Sequence, residues 1–289
     1  MEEILQSISD YISNMLRTAV SSNLLTMFDE VNNRVAVIGT EVSASPSDWN
    51  SSVYSLIETI STTVLMPIAG IIITYVMVYE LIAMVAMKNH GSEFGAEDFV
   101  KYFFKMCIAV FIISNTFTIV NAIFDIAQHA VLAATSVISM NTNIDATDVI
   151  NSIQGELMNL GMTELLQLMV ETWIVSFTMK LLSIFITVIL YSRMIEIYIY
   201  TSMAPIPFAT VVNREWGSIG NNYIKGLFAL GFQGFAIMIC VAVYSVLVNN
   251  MTVSSDIHMA LFSIMGYTIV LCFSLFHTGT LSKSIFNAH

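Results

Sequence analysis

The chain has 289 residues, of which 56% are hydrophobic and 11% charged, with a net charge of −11 and a mean hydropathy of +0.76. These values lie far outside the usual range of soluble domains and read as a membrane protein. They argue against a continuous basic groove for nucleic acid. Cys107, Cys240 and Cys272 all fall inside apolar stretches, where a thiol packs as a small apolar side chain and no disulfide framework is implied.

The first 56 residues read as a separate, extracytoplasmic unit. Ile4, Leu5, Ile8, Tyr11, Ile12, Met15, Leu16, Val20, Leu24, Leu25 and Phe28 recur at helical spacing, with Glu3, Asp10, Asn14 and Arg17 between them. That is the pattern of an amphipathic helix. It lacks the basic segment and small-residue cleavage site of a signal peptide. Its polar face is not rich in Lys, so a partner protein or neighbouring subunit is as good an occupant for the apolar face as a lipid surface. Residues 43–52, with Ser, Pro and Asp, read as a turn-rich linker.

A 57–289 membrane domain follows. Five apolar stretches run over 57–87, 103–126 with a continuation to 138, 165–190, 224–248 and 257–276. Each reaches the roughly 20 residues needed to span about 30 Å of hydrocarbon as a helix. Lys88, Lys101 and Lys105 follow the first stretch, Arg193, Arg214 and Lys225 the third, and Lys283 the fifth. The other two gaps hold Asp145, Asp148, Glu156, Glu164 and Asp256 without Lys or Arg. Basic loops stay cytoplasmic, so the expected layout is an all-α, five-helix, multi-pass protein with its N-terminus outside and C-terminus inside. Within the outer loop 139–164, containing Asn141 and Asn143, Thr147 or Asp148 caps a short expected helix running to about Leu157, and Gly161 ends it.

Ionisable side chains at membrane depth are costly and usually face a bundle interior or water. Lys180 lies near the middle of the third stretch, and Asp125 with His129 toward the outer end of the second. A Lys180–Asp125 contact would serve either a proton or ion path or simple assembly. Lys180 instead snorkels if the span begins later. Arg193 and Glu196 are three apart and read as a solvated pair at the inner helix end.

The cytoplasmic elbow 200–223 carries the most unusual local sequence. Pro205 and Pro207 lack amide donors and disfavour helix in the residue before them, so the helix breaks or bends there. Arg214, Glu215 and Trp216 then form an interfacial cluster, either an elbow anchored by Trp216 or a docking surface for a cytoplasmic partner. In the fourth span Gly226, Ala229, Gly231 and Gly234 sit among Phe228, Phe232 and Phe235, a small-residue face that permits close helix approach, between copies or within the bundle. Gln233 offers an interhelical hydrogen bond.

Met203-Ala-Pro-Ile-Pro-Phe-Ala-Thr, Asn213-Arg-Glu-Trp-Gly-Ser-Ile-Gly and Tyr223-Ile-Lys-Gly-Leu-Phe-Ala-Leu-Gly-Phe-Gln-Gly-Phe together resemble the TrbL family, the polytopic inner-membrane component of type IV secretion systems, most closely the versions on Gram-positive conjugative elements. The likeness is sharpest over residues 200–245. It implies a subunit of a conjugation machine that moves a relaxase-linked DNA strand across the membrane beside membrane-associated ATPases.

No Walker phosphate loop, metal-ligand cluster or nucleophile–base set is placed by motif, and the five His residues are scattered. The reading is therefore a non-enzymatic channel or scaffold without cofactor or metal. It is embedded in the lipid of the cytoplasmic membrane as a homo-oligomer, with ATPases and a DNA–protein substrate as partners. A secondary transporter using Lys180 and Asp125 is the alternative, and a holin-type membrane-lesion protein a second.

Overall fold

The computed structural model describes residues 2–88, 95–139, 155, 157–251 and 257–288. Among them every regular element is helical. The first helix, α1 (Glu2–Ser43), runs well past residue 28 because its apolar stripe continues. Leu16, Val20, Leu24, Met27, Val31, Ile38 and Val42 are all buried, at the three- and four-residue steps that put side chains on one helix face.

The expected linker at 43–52 is a pair of caps. Ser45 receives the amide of Asp48 at 3.1 Å and starts the one-turn helix α2 (Pro46–Trp49), with Pro at its first position. Asn50 then receives the amide of Val53 at 3.0 Å and starts α3 (Ser51–Ile60). A π-helical turn, Ser61–Leu65, leads into α4 (Met66–Lys88). Pro67 has no amide for the carbonyl four residues back, and the widened turn sits where that bond is lost.

The expected second span is divided. α5 (Ala96–Ser114) and α6 (Thr116–Ser139) are separated by Asn115, which leaves helical geometry at φ −112, ψ 22. Its side-chain amide donates to the Phe111 carbonyl at 2.9 Å, and the Thr116 hydroxyl donates to the Ile113 carbonyl at 2.7 Å. Both carbonyls also receive the Asn115 backbone amide, so the side chains add donors to the last carbonyls of the ending helix. Residues 103–126 therefore straddle a break, and the helix apolar enough to span is Thr116–Ile138.

The remaining helices are α7 (Met162–Met203), α8 (Pro205–Phe208), α9 (Gly217–Met251) and α10 (Ile257–Ile285). Gly161 opens α7: its amide donates to the Glu164 carboxylate at 2.9 Å and its carbonyl accepts from Leu165 at 3.0 Å. The helix expected from Thr147 or Asp148 lies outside the described residues up to 154. Among the described residues five helical stretches are long and apolar enough to cross a membrane: Ser51–Ala86, Thr116–Ile138, Met162–Met203, Gly217–Asn250 and Ile257–Ile285.

Two compact units share these helices. The first comprises residues 1–42, 132–190 and 236–278. Within it Arg17 donates to the carbonyls of Leu157 at 3.0 Å and Met158 at 3.2 Å, Asn23 donates to the Thr172 hydroxyl at 3.3 Å, and His258 pairs with Glu171. The second comprises 43–131, 191–235 and 279–289. Its core is Val120, Ile123, Phe124, Met194, Ile197, Ala204, Phe208, Leu227 and Leu230. Trp49 packs edge-on to Tyr191 with centroids 5.2 Å apart, and the Tyr198 hydroxyl donates to the Pro46 carbonyl at 2.8 Å.

Close approach of α9 and α6 within the second unit depends on Gly231, where an added Cβ would lie 2.8 Å from the Ala127 Cβ. Gly231→Ala should therefore cost about 1–3 kcal/mol through overpacking, and Ala127→Gly in the same chain should recover most of it. Thermal unfolding in detergent checks both; no recovery in the double variant would place the strain elsewhere.

Candidate partner-contact surface and intramembrane polar groups

The segment from the end of α7 to the start of α9 belongs wholly to the second unit. Ala204, before the first proline, keeps right-handed helical geometry at φ −52, ψ −38. The expected shift of that residue toward extended backbone does not occur. The chain turns instead by exchanging hydrogen bonds: the Ala204 amide reaches Thr201 at 3.4 Å, and the Phe208 amide reaches Ala204 at 3.2 Å. The Thr210 hydroxyl donates to the Pro207 carbonyl at 2.8 Å. Near hydrocarbon such substitutions are required, because no water is at hand for freed carbonyls.

Three helix discontinuities meet around this point. The Ser61 hydroxyl, at the π-helical turn, donates to the Ser202 carbonyl at 2.7 Å. Ala69, Ile113 and Ala209, from α4, the end of α5 and the residue after α8, bury one another. The Ser61 turn and the Asn115 break were not legible as parts of the site. The signal available for the first was Pro67 inside an apolar stretch.

The rest of the elbow docks on α4. The Asn213 side-chain oxygen accepts the amides of Glu215 and Trp216, both at 2.8 Å, and its amide nitrogen lies 3.5 Å from a Glu80 oxygen. Glu80 is 5% exposed and its other oxygen accepts from Lys105 of α5. One carboxylate in an apolar helix thus ties three segments. It was visible in the sequence as a carboxylate at membrane depth and was not singled out. The Trp216 ring stacks between Tyr75, at 5.5 Å and 12°, and Tyr79, at 5.6 Å and 15°. The Tyr79 hydroxyl donates to Glu215 at 2.9 Å. Arg214 and Glu215 are exposed at the tip, whereas Trp216 is half-buried. At Gly220, an added Cβ would come within 2.6 Å of the Pro207 carbonyl oxygen, so the chain doubles back too tightly for a larger residue.

The small-residue face of α9 is occupied within the chain. The Tyr200 ring covers Gly226, with Cε1 3.2 Å from where a Cβ would sit. Gly231 meets Ala127, Ala229 is buried and its carbonyl accepts from the Ser282 hydroxyl, and Gly234 is buried. Gln233 lies over Gly279, its amide nitrogen 3.3 Å from the position of a Cβ there.

Lys180 belongs to the first unit and Asp125 to the second, and both are exposed, as is His129. The expected Arg193–Glu196 end cap is not formed. Glu196 pairs with Lys283 of α10 at 2.7 Å. Arg193 is only 7% exposed, its Nε has no partner, and Nη1 lies 3.9 Å from the Met194 sulfur. The physical reason is helix length: α7 continues to Met203, so position 193 falls inside the helix rather than at its end. Among the described residues no group of three or more His, Cys, Asp or Glu is placed to hold a metal ion.

The family model described as TrbL/VirB6 plasmid conjugal transfer like protein matches residues 31–205. No curated protein and no solved structure matches the chain. The matched region ends where the sequence likeness at 200–245 begins, so the two rest on largely different residues.

The stacked rings, rather than the exposed hydrogen bond, should hold the elbow. Trp216→Ala is expected to cost about 2–3 kcal/mol, and Tyr79→Phe, which keeps the stack, less than about 1 kcal/mol. Limited proteolysis of the elbow and thermal unfolding check the order. Equal losses would mean that stacking is not what fixes it.

Proposed function

Because the chain belongs to the TrbL/VirB6 plasmid conjugal transfer like family, making it a membrane-embedded component of a conjugal transfer system, we propose that it is a channel or scaffold subunit of a type IV secretion apparatus. It sits in the cytoplasmic membrane, N-terminus outside and C-terminus inside, and helps a relaxase-linked DNA strand to cross. The observation that carries this reading is the family match over residues 31–205 coinciding with helices built to span a membrane. Energy comes from separate membrane-associated ATPases, and the subunit works as a homo-oligomer.

The orientation rests on Lys101, Lys105, Arg214, Lys225 and Lys283 falling in alternate gaps between the apolar stretches and after the last. In that orientation the elbow faces the cytoplasm. Arg214 and Glu215, exposed at its tip, are the groups a cytoplasmic partner meets, and Trp216 holds them in place through Tyr75 and Tyr79. The Gly226–Gly234 face is given to packing within the chain, so contact between copies uses other surfaces. No observation favours a transporter built on Lys180 and Asp125.

Deletion of the gene in a donor should abolish transfer of its own element, with recovery on complementation; undiminished transfer would sink the reading. A photoreactive residue at position 214 in living donors should give adducts with a membrane-associated ATPase, and self-adducts alone would remove the elbow as the docking surface. Lys180→Met should leave both assembly and transfer intact. Normal assembly with transfer lost would restore an intramembrane role for that lysine.

A further inference from the structure

At the α10 end of the second unit lies a cavity of about 230 Å³ lined by Tyr200, Pro207, Ile219, Asn222, Tyr223, Gly226, Lys283 and Ala288. Its walls are specific. Tyr200 and Tyr223 stack at 5.5 Å and 15°, and the Tyr223 hydroxyl is spent on the Tyr200 carbonyl. Gly226 leaves room under the Tyr200 ring. Lys283, Asn222 and the Tyr200 hydroxyl are donor-bearing groups on the lining.

The charge along the stretch of α7 that leads to this cavity does not balance. Lys283 is paired with Glu196, so those two cancel. Arg193 lies seven residues before Tyr200 on the same face of α7, with Glu196 between. Its guanidinium is buried, carries an Nε without a partner and makes no carboxylate contact. A buried cation left uncompensated is costly, so this stretch of α7 carries one positive charge without an opposing one. A compact anion in the cavity beside Lys283, about 10 Å along the helix, is attracted by that charge across a medium of low dielectric. Basic pockets between membrane helices on the cytoplasmic side are suited to the head groups of anionic lipids, and 230 Å³ accommodates a phosphodiester and little more.

We infer that this cavity binds the phosphate of an anionic phospholipid, with Lys283 as the contacting cation and Arg193, deeper along α7, as the charge that makes the site attractive. Lys283 touches the phosphate; Arg193 acts through the field. Glu196 opposes both. The inference rests on the proposed function only for the cytoplasmic placement of this end of the spans, and otherwise concerns lipid selection by the purified chain.

The test is native mass spectrometry of the full-length protein released from nanodiscs of phosphatidylcholine doped with phosphatidylglycerol. The wild type should retain phosphatidylglycerol several-fold over its share of the bilayer. Lys283→Met and Arg193→Met should bring retention down to that share, and Glu196→Gln should raise it. Unfolding curves identify any variant that fails to fold; Lys283 and Glu196 are each 38% exposed on the side chain, so their variants keep the test decisive if Arg193→Met is lost. Unchanged preference in Lys283→Met, or a fall in Glu196→Gln, overturns the inference. Loss of the preference on adding inorganic phosphate assigns the site to a free anion and overturns the lipid.

Discussion

The constraint on which this protein turns is that a helix surrounded by hydrocarbon must satisfy its own carbonyls. The second unit breaks helices in three places and answers each break with a side chain or a shifted amide. The Ser61 hydroxyl donates to the Ser202 carbonyl, the Asn115 side chain adds a second donor to the Phe111 carbonyl, and the Ala204 amide shifts to Thr201. These breaks are mutually dependent, because Ala69, Ile113 and Ala209 pack against one another. Removing one would leave the others facing atoms that no longer fit. The elbow is thus the exit of a shared joint, and its exposed charges inherit that rigidity.

Polar groups inside the apolar helices divide by how they are compensated. Glu80 is surrounded by donors from two other segments, an arrangement that fixes geometry because breaking a buried pair costs much more than keeping it. Arg193 is the opposite case, a cation enclosed without an opposing charge in contact. One group organises the elbow; the other stands as uncompensated charge on α7. The exposed Lys180 and Asp125 do neither within their own units.

Much of the architecture was legible from hydropathy, because length and apolarity alone decide whether a helix can span. The places where that reading slipped are single residues. Asn115 divides a stretch whose average hydropathy conceals it, since one polar residue barely moves a window of 20 or so. Ser61 and Pro67 changed helix type without changing composition. Beside the proline pair α7 ends at Met203, yet Ala204 keeps helical geometry while neighbouring amides shift partners. Trp216 was recognisable as an anchor, whereas its partners Tyr75 and Tyr79, some 140 positions earlier, were not, since tertiary stacking leaves no trace in local spacing. The Arg193–Glu196 reading failed because α7 runs on to Met203, which puts position 193 inside the helix, and Glu196 then pairs with Lys283 of a distant helix.

The length of α7 has a consequence for how the chain lives in a cell. Exposed large apolar side chains run along it from Leu166 to Met203, about 56 Å of helix at 1.5 Å per residue, against a hydrocarbon layer of about 30 Å. Even a tilt of about 40° accommodates only some 39 Å of axis. Roughly three turns of greasy helix therefore lie beyond what lipid can wet. A chain whose surplus surface stays uncovered would present the kind of apolar patch that chaperones and membrane proteases act on.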